Sequence, residues 1–498
     1  MVDEALTAYL ESALPPSVPP FSQPELGKDK IQQGENGGMS DRTGGLRALL
    51  AYNTEPPQFS DAETSQIIAA IDNVKVLDPA CGSGAFPMGV LHKLVYILSK
   101  LDPDNSRWRE LQRQKAIQET EDAYKIGNHE ERRQRLLDIE ETFENNASDY
   151  GRKLYLIENC IYGVDIQPIA VQIAKLRFFI SLVVDQKTNP PKANLGIRPL
   201  PNLETKFVAA NTLIGLEKPK QMAFRNPEID VKEKQLAQTR QQLFTARTPE
   251  TKRKYRQLDK TLRADIAKLL EKDGWGSATA QRLAGWDPYN QNAYSEFFDP
   301  EWMFGLIGGF DIVIANPPYV DSELMSIILP EQRDLYTVIY DSAKGNWDLF
   351  VVFIEKGIKL LKTNGAITYI VPNKLIGAPY SEHIKKIIAH YSLREIRDYS
   401  KVKVFKDADV YPITFVLIKS QSKSDISLGI MSELEEYKSQ NVVPSEIFYK
   451  DTNWDRWFVN QNALNIVLNC SKYPPISNFL AVESPATVRD AYEIKKIQ

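Results

Sequence analysis

The sequence predicts an α/β fold built around a mostly parallel β-sheet. Short runs rich in β-branched residues recur along the chain, and several are followed by stretches with helical periodicity, an alternation typical of strands joined by crossover helices. The strand runs are Val74–Asp78, Ile161–Val164, Phe207–Ala209, Asp311–Ile314, Ala366–Val371, Leu393–Tyr399 and Ile413–Ile418. The helical patterns include Met88–Ser99, Pro168–Val183 and Phe350–Leu361. We therefore predict a seven-stranded sheet flanked by helices.

The length of the chain allows more than one compact unit. It has 498 residues, of which 43% are hydrophobic, enough to bury a sizeable core. Residues 1–45 combine a proline cluster with a glycine-rich stretch, which predicts a flexible N-terminal arm. Residues 46–437 contain the strand runs and form the predicted main domain. The pattern changes after Tyr437, so residues 438–498 are interpreted as the start of a further, incomplete region.

Two charged stretches interrupt the alternation of strands and helices. Trp108–Glu144 and Val231–Lys272 are rich in Glu, Lys, Arg, Gln and Leu, which predicts long amphipathic helices, folded as hairpins at the edge of the sheet. These two stretches predict helical insertions in the main domain at about residues 101–150 and 217–300. Each insertion could be an ordinary solvated helical element or a clamp for DNA or a protein partner, and the sequence leaves both interpretations open.

Composition narrows the class of protein. The formal net charge is −4, so no overall positive field either requires or excludes a nucleic-acid partner. Cys81, Cys160 and Cys470 are widely separated, and the four histidines show no metal-ligand spacing, so we expect neither a disulfide framework nor a metal site. This use of cysteine fits a protein of the reducing cytoplasm. The sequence contains no signal-peptide pattern and no apolar run near 18 residues, so no membrane association is predicted.

A glycine turn follows the first strand run, in the sequence Asp78-Pro-Ala-Cys-Gly-Ser-Gly84. Gly82 and Gly84 would let the backbone bend sharply and approach a ligand at the carboxyl end of the strand. A dinucleotide-binding turn would have a third glycine at position 87, which is proline, and Asp78 would repel a pyrophosphate. An acid at this place suits a cationic group instead, such as the ammonium of S-adenosylmethionine.

The strongest signal in the chain is the run Phe310–Ala315, which leads into Asn316-Pro-Pro-Tyr319. Two successive prolines fix φ and make the loop rigid. A rigid loop that offers carbonyl acceptors and an aromatic ring is suited to holding a planar amine that must act as a nucleophile.

These motifs resemble those of N6-adenine DNA methyltransferases of type IIG and TaqI-like restriction-modification systems or BREX-type defence systems. Asn346–Phe350 and Gly365–Asn373 resemble the fifth and sixth motifs of the same family, in the same order. The resemblance implies a seven-stranded Rossmann-like fold of the S-adenosylmethionine-dependent type, with residues 46–437 as the catalytic domain. It also implies S-adenosylmethionine as cofactor and double-stranded DNA as substrate.

The resemblance also implies roles for individual residues. Asp165 would accept hydrogen bonds from both ribose hydroxyls of the cofactor, although an acid at a strand end could also cap the next helix. Asn211, within Phe207–Thr212, stands where the third motif usually has Asp, near the adenine ring of the cofactor. The full set implied for S-adenosylmethionine is Asp78, Pro79, Ala80, Cys81, Gly82, Gly84, Asp165, Ile166, Asn211 and Asn316.

The catalytic residues implied are Asn316, Pro317, Pro318 and Tyr319. The Asn316 side chain and the Pro317 carbonyl would accept the two N6 hydrogens and favour the tetrahedral nitrogen that attacks the methyl group. Because N6 lies inside the duplex, the adenine must be flipped out. Tyr319 and Phe405 would then stack on its two faces, although Phe405 could equally be a core aromatic.

Other functions remain open at this stage. The same chemistry serves enzymes that methylate another planar amine or amide, such as an RNA base or a protein glutamine, and the chain could also be a catalytically silent DNA-binding subunit. Ser484–Lys496 resembles the segment at which the family's target-recognition region begins, so we expect residues 438–498 to hold only its start. We therefore expect a truncated or split chain, whose sequence-reading half is either missing or carried by a separate recognition polypeptide. A nuclease could be a further partner, and the sequence does not show which DNA sequence is recognised.

Overall fold

The strands form one continuous nine-stranded sheet in a computed structural model. The structure describes residues 1–14, 37–52, 59–123, 148–188, 201–216, 226–246, 248–405, 410–434, 436–450, 452–471 and 473–474, together with positions 133, 137, 139, 191, 195 and 197. The strands are β1 (Val76–Asp78), β2 (Ile161–Asp165), β3 (Phe207–Ala209), β4 (Phe310–Ala315), β5 (Leu361–Pro372), β6 (Ser392–Asp398), β7 (Pro412–Ile418), β8 (Ile426–Met431) and β9 (Tyr437–Val443).

The helices alternate with these strands, as the sequence predicts. Those before β4 are α1 (Val2–Ala13), α2 (Gly37–Leu50), α3 (Asp61–Asn73), α4 (Ala85–Leu101), α5 (Ser106–Ala123), α6 (Ser148–Asn159), α7 (Pro168–Val183), α8 (Pro227–Thr245), α9 (Pro249–Lys272), α10 (Ser277–Gly285) and α11 (Pro300–Phe304). Those after β4 are α12 (Ser322–Ile328), α13 (Pro330–Ile339), α14 (Leu349–Leu360), α15 (Lys374–Gly377), α16 (Glu382–Ile388), α17 (Ser445–Phe448) and α18 (Gln461–Cys470), with short 3₁₀ turns at Pro379–Ser381 and Asp455–Trp457.

The predicted α/β class with a mostly parallel sheet is confirmed, but the predicted number of strands is wrong. The strand order is β3-β2-β1-β4-β5-β7-β6-β8-β9, and β7 and β9 run opposite to the other strands. All seven predicted runs are strands, and β8 and β9 extend the sheet beyond them. The run Tyr437–Val443 is largely polar, with alternate residues exposed, because an antiparallel edge strand buries only one face. Its hydrophobic signal is correspondingly weak.

The order of the strands places a crevice at the carboxyl ends of β1 and β4. From β1 the chain adds β2 and β3 on one side and then β4 and β5 on the other. The strand order therefore reverses between β1 and β4, and ligands of open α/β sheets bind at such a point. Val76 and Leu77 of β1 belong to two different hydrophobic clusters, one on each face, so the sheet is covered on both sides.

The N-terminal segment differs from the expected flexible arm. Residues 2–13 form α1, which buries Leu6 and Leu10 against the sheet. Glu4 pairs with Arg397 of β6 at 2.7 Å, and Asp3 pairs with Lys93 of α4 at 3.0 Å. The helical periodicity of these residues is enough to bury one face, and the prolines that suggest a loose arm begin only at Pro15. Residues 15–36 lie outside the described residues.

The predicted boundary after residue 437 also differs from the structure. β9 pairs with β8, and Phe448, Trp454 and Trp457 are buried in the same hydrophobic cluster as the main sheet. Tryptophan side chains carry large apolar areas, so these residues join the existing core instead of beginning another. The segment Ser484–Lys496 lies outside the described residues.

The second charged insertion forms the expected helical hairpin, α8 and α9. At its centre the fully buried Asp259 accepts hydrogen bonds from Arg240 at 2.8 Å and from Arg263 at 2.6 Å. Burial alone would raise the pKa of Asp259, but the two guanidinium groups more than offset this and hold it below its ordinary value. The inner face of the hairpin is therefore a fixed, packed surface. Of the first insertion, α5 is described, whereas most of 124–147 lies outside the described residues.

Two further features of the described residues bear on function. None of their helices is both long and apolar enough to span a bilayer. In the same residues, no group of three or more His, Cys, Asp and Glu side chains is arranged to hold a metal ion.

Candidate functional site

Asp78 lies at the carboxyl end of β1 and is buried. Its Oδ1 accepts a hydrogen bond from the Ala80 amide at 3.0 Å. Burial raises the pKa of Asp78 well above its usual range; the Ala80 hydrogen bond opposes the shift, and the nearby charge of Asp165 adds to it. Among the described residues no cation forms an ion pair with Asp78. A positively charged ligand group would therefore favour its ionised form.

The glycine turn after Asp78 has the conformation that the sequence predicts. Gly82 and Gly84 have φ values of +51° and +81°, in the left-handed region that favours glycine. A Cβ on Gly84 would lie 3.0 Å from the Cβ of Ala174, so this glycine lets the start of α4 approach α7. A Cβ on Gly82 would meet no described atom within 4 Å. The turn is therefore open to a ligand above Gly82.

Asp165 joins the loop after β2 to the loop after β1. Its Oδ2 accepts from the Gly82 amide at 2.8 Å, and its Oδ1 accepts from the Gln167 amide at 2.9 Å. Gln167 precedes α7, so Asp165 does make the cap-like contact considered from the sequence. Each carboxylate oxygen keeps a further lone pair, so two ligand hydroxyls could still be bound. The next side chain, Ile166, is 54% exposed and offers an apolar surface beside the turn.

Asn211 lies beyond β3, in a loop held to the glycine turn. The Thr212 hydroxyl donates to the Pro79 carbonyl at 2.7 Å. The Asn211 side chain accepts from the Leu213 amide at 3.0 Å and donates to the Tyr336 hydroxyl at 3.1 Å. The loops after β1, β2 and β3 are thus brought together. No sequence motif marked Tyr336, because its contact with Asn211 joins residues 125 positions apart.

Cys81 sits beneath the turn and supports its backbone. Its amide donates to the Val164 carbonyl at 2.8 Å, and its carbonyl accepts from the Gly84 amide at 2.8 Å. Burial raises the pKa of the Cys81 thiol, and the charges of Asp78 and Asp165 add to this shift. This shift favours the protonated thiol, and the two backbone hydrogen bonds of Cys81 hold the turn in place.

The Asn316-Pro-Pro-Tyr319 loop begins directly after β4. Asn316 and Pro318 are exposed and Pro317 is buried. Within the described part of the chain, the Asn316 side chain makes no hydrogen bond, so its amide is available to a ligand. The loop is anchored one residue after Tyr319, where the Val320 carbonyl accepts from the Leu349 amide at the start of α14, at 2.8 Å.

The structure brings together Tyr319 and Phe405, the two aromatic residues singled out from the sequence. Their ring centroids are 6.4 Å apart and the rings are inclined at 73°, an edge-to-face contact. The two rings are therefore not parallel. The Tyr319 hydroxyl donates to the Ile370 carbonyl at 3.0 Å, and burial raises its pKa.

Asp348 links the two segments that resemble the fifth and sixth motifs of the family. It precedes α14 and accepts hydrogen bonds from the Lys374 ammonium at 3.1 Å and from the Tyr380 hydroxyl at 2.8 Å. Beyond β5, the Asn373 side chain donates to the Ser400 hydroxyl at 3.1 Å, which ties that strand end to the segment leading to Phe405. Sequence reasoning matched these motifs but assigned no side chain in them a role.

Comparison with known proteins supports the resemblance. Residues 159–405 match the Eco57I restriction-modification methylase family. RM.Eco57I of Escherichia coli, a type II restriction enzyme and methyltransferase, is 31% identical over 111 residues, 22% of this chain and 11% of that protein. RM.MjaORFECS2P of Methanocaldococcus jannaschii is 26% identical over 422 residues, 73% of this chain and 32% of that protein.

Two further similarities are of the same kind. The type II methyltransferase M.BstVI of Geobacillus stearothermophilus is 34% identical over 128 residues, 25% of this chain and 22% of that protein. In each case the match therefore spans less than a third of the relative's own length. The solved structure of the type IIL enzyme MmeI with DNA aligns at a TM-score of 0.37, with 12% identity, over 77% of this chain and 36% of that one. Residues 159–405, about half of the chain, are therefore similar to the Eco57I restriction-modification methylase family.

Proposed function

We propose that the chain transfers a methyl group from S-adenosylmethionine to the N6 amino group of an adenine flipped out of double-stranded DNA. The observation that carries the proposal is the rigid Asn316-Pro-Pro-Tyr319 loop, whose free amide lies at the end of β4, next to the open glycine turn after β1. The restriction-modification methylase match and the methyltransferases among the relatives support the reaction class.

The residues present fit S-adenosylmethionine. The buried Asp78 lacks a described cationic partner, which suits the ammonium of the methionine part. Asp165 keeps lone pairs for the ribose hydroxyls, and the exposed Ile166 offers a face to a purine ring. When bound, this cofactor supplies an electrophilic methyl group on a sulfonium. Pro79, Ala80, Cys81, Gly82 and Gly84 shape the turn around it, and Asn211 is assigned to the adenine ring.

The target amine is prepared by hydrogen-bond acceptors. The lone pair of N6 is delocalised into the adenine ring and is a poor nucleophile. When the Asn316 oxygen and the Pro317 carbonyl accept the two N–H groups, the nitrogen becomes tetrahedral and its lone pair points out of the ring. The same acceptors stabilise the positive charge that forms on nitrogen during transfer. Rigidity from Pro317 and Pro318 keeps these acceptors in position without reorganisation.

Stacking offsets the cost of extracting the base. Flipping a base costs a few kcal/mol, and stacking on an aromatic side chain returns roughly 1–3 kcal/mol per base. Tyr319 and Phe405 are the aromatic pair assigned to this role, with Tyr319 held in place by the Ile370 carbonyl. The assigned partners are double-stranded DNA, a separate recognition polypeptide and a nuclease, acting in the cytoplasm.

Labelled methyl groups test the proposal. The chain is incubated with S-adenosylmethionine carrying a labelled methyl group and with duplex DNA, RNA or protein as acceptor, beside Asn316→Ala as the matched control. We expect label in DNA from the wild-type chain and none from the variant. Label only in RNA or protein would favour the other planar amines or amides. Cofactor binding without transfer to any acceptor would favour a catalytically silent subunit.

A further inference from the structure

Helix α13 begins eleven residues after Tyr319, the end of the Asn316-Pro-Pro-Tyr319 loop, and brings two tyrosines into the core. Tyr336 lies on α13 and Tyr340 directly follows it, and both are buried. Their rings meet edge to face, with centroids 6.2 Å apart. A buried tyrosine hydroxyl needs a hydrogen-bond partner, so the partners of these two hydroxyls show what the helix holds.

Both hydroxyls reach the loop after β3. Tyr336 accepts from the Asn211 amide nitrogen at 3.1 Å, and Tyr340 donates to the Leu213 carbonyl at 2.5 Å. The Leu213 amide in turn donates to the Asn211 side-chain oxygen at 3.0 Å. A backbone N–H can only donate, so the atom facing it must be the oxygen of Asn211. The nitrogen of Asn211 therefore faces Tyr336, and the plane of the amide is fixed from both ends.

This arrangement leaves the Asn211 amide with defined capacity for a ligand. An amide has two N–H donors and two acceptor lone pairs. The Asn211 nitrogen uses one donor on the Tyr336 hydroxyl, whereas the Asn211 oxygen accepts from the Leu213 amide and, at 3.5 Å, from the Tyr336 hydroxyl. One N–H donor of the Asn211 amide remains, which matches the N1 acceptor of adenine. An amide that donates to a ring nitrogen of adenine recurs in base recognition.

We infer that Tyr336 is a positioning residue for cofactor binding, which acts by holding the Asn211 amide toward the adenine ring of S-adenosylmethionine. This inference rests on the proposed function. The helix that holds Asn211 is also fixed to the target end, because the Arg333 guanidinium of α13 donates to the Ser322 hydroxyl of α12 at 3.2 Å. Helix α12 starts three residues after Tyr319, so one short hairpin supports both halves of the site.

A double-mutant cycle on cofactor affinity tests the inference. Tyr336→Phe removes only the hydroxyl, and we expect calorimetry to show about three- to tenfold weaker binding of S-adenosylmethionine, the range for one lost hydrogen bond. Turnover at saturating cofactor should stay within about twofold, so the change appears in KM and not in kcat. The double variant Tyr336→Phe, Asn211→Ala should bind no more weakly than Asn211→Ala alone, because Tyr336 acts only through Asn211.

Tyr9→Phe is the matched control. The Tyr9 hydroxyl donates to the Ala70 carbonyl at 2.8 Å in the hydrophobic cluster on the opposite face of the sheet. This variant makes the same chemical change and should leave cofactor affinity unchanged, whereas thermal unfolding should show comparable small losses of stability in both variants. If both variants weaken cofactor binding equally, or if the effects in the cycle are additive, the role inferred for Tyr336 is wrong, whereas the proposed function is unaffected. A wild-type chain that binds no S-adenosylmethionine would overturn the proposed function as well.

Discussion

The cofactor end and the target end of the site differ in how much of their polar chemistry is already satisfied. At the cofactor end, Asp165 binds the amides of Gly82 and Gln167, and Asn211 is held by Leu213 and Tyr336. At the target end, the Asn316 amide makes no hydrogen bond within the described residues, and Phe405 lies edge to face against Tyr319. Under the proposed function, the cofactor end is therefore preorganised, whereas the target end would have to rearrange to hold a base.

The proposed function explains this difference by the two ligands that it assigns to the site. A cofactor that binds in every turnover is served by loops that need no reordering, since ordering them would cost binding free energy. A target base arrives only after it leaves the duplex, so its site must open and then close around it. Variants at the cofactor end should therefore change cofactor affinity, whereas variants at the target end should change turnover or capture of the base.

The largest effect is expected at the target end, from Asn316→Ala. Loss of a preorganised group that stabilises transition-state charge typically lowers kcat by about 10²–10³-fold. Cofactor affinity should be nearly unchanged, because Asn316 acts on the nucleophile. Single-turnover rates and calorimetry on the same preparation separate the two quantities. Wild-type turnover in this variant would remove Asn316 from the mechanism.

A smaller effect, of the opposite kind, is expected from Asp165→Ala. Loss of a charged hydrogen-bond acceptor should weaken cofactor binding by roughly 1.5–3 kcal/mol. Asp165→Asn keeps one acceptor oxygen and should lose less, which makes it the matched control. Calorimetry gives both affinities. If both variants bind S-adenosylmethionine as the wild-type chain does, Asp165 serves only as the cap of α7 and the support of the Gly82 amide.

Phe405→Ala should weaken capture of the target base without changing cofactor affinity. The stacking lost is worth roughly 1–3 kcal/mol per base. The fluorescence of 2-aminopurine at the target position increases when the base leaves the stack. We expect this increase to be smaller with Phe405→Ala than with the wild-type chain. Tyr319→Phe keeps the ring and removes the bond to the Ile370 carbonyl, at a cost of about 0.5–1.5 kcal/mol. Equal fluorescence in all three proteins would return Phe405 to the core interpretation.

The smallest effect on methyl transfer is expected from Glu4, which lies on the N-terminal helix α1, far from the site. Its substitution should change stability instead. Burial opposes ionisation of Glu4, but the N-terminal ammonium and Arg397 outweigh it and lower its pKa to about 2. A folded-state pKa below the unfolded value stabilises the protein above the unfolded pKa of about 4.3, and this stabilisation is lost as pH falls toward 2. Glu4→Gln should therefore lower the free energy of unfolding by about 1–3 kcal/mol at pH 7.

The pH dependence checks this assignment. Chemical denaturation at several pH values should show the difference between Glu4→Gln and the wild-type chain shrinking below pH 4.3. Glu446→Gln, at an exposed glutamate of α17, is measured beside Glu4→Gln as the control for a change from Glu to Gln. A constant difference across the pH range would mean that Glu4 contributes by packing and not by charge. Methyl transfer at pH 7 should be unaffected wherever the variant remains folded.

Much of the fold could be predicted because the buried strands and their helices have strong hydrophobic patterns. Helix α1 was missed because nearby prolines dominated the interpretation of residues 1–45, and β9 was missed because an edge strand buries only alternate residues. Local patterns cannot show that Phe448, Trp454 and Trp457 join the main core. These errors concern elements whose signal depends on what they pack against.

The residues of the candidate site also differ in whether the sequence alone could point to them. Asp78, Asp165 and Asn316 could be found because each directly follows or ends a strand within a recognisable motif. Tyr336 and Asp348 could not be assigned, because their roles depend on contacts between distant parts of the chain. Sequence therefore identified the groups expected to touch the ligands, whereas the structure was needed to find the residues that hold them.

The most direct test of the account identifies the methylated nucleoside. Duplex DNA is reacted with the chain and S-adenosylmethionine, digested to nucleosides and analysed by mass spectrometry beside DNA treated with Asn316→Ala. The account predicts N6-methyladenine from the wild-type chain and none from the variant. N4-methylcytosine in its place, or N6-methyladenine at the same level with Asn316→Ala, would contradict it.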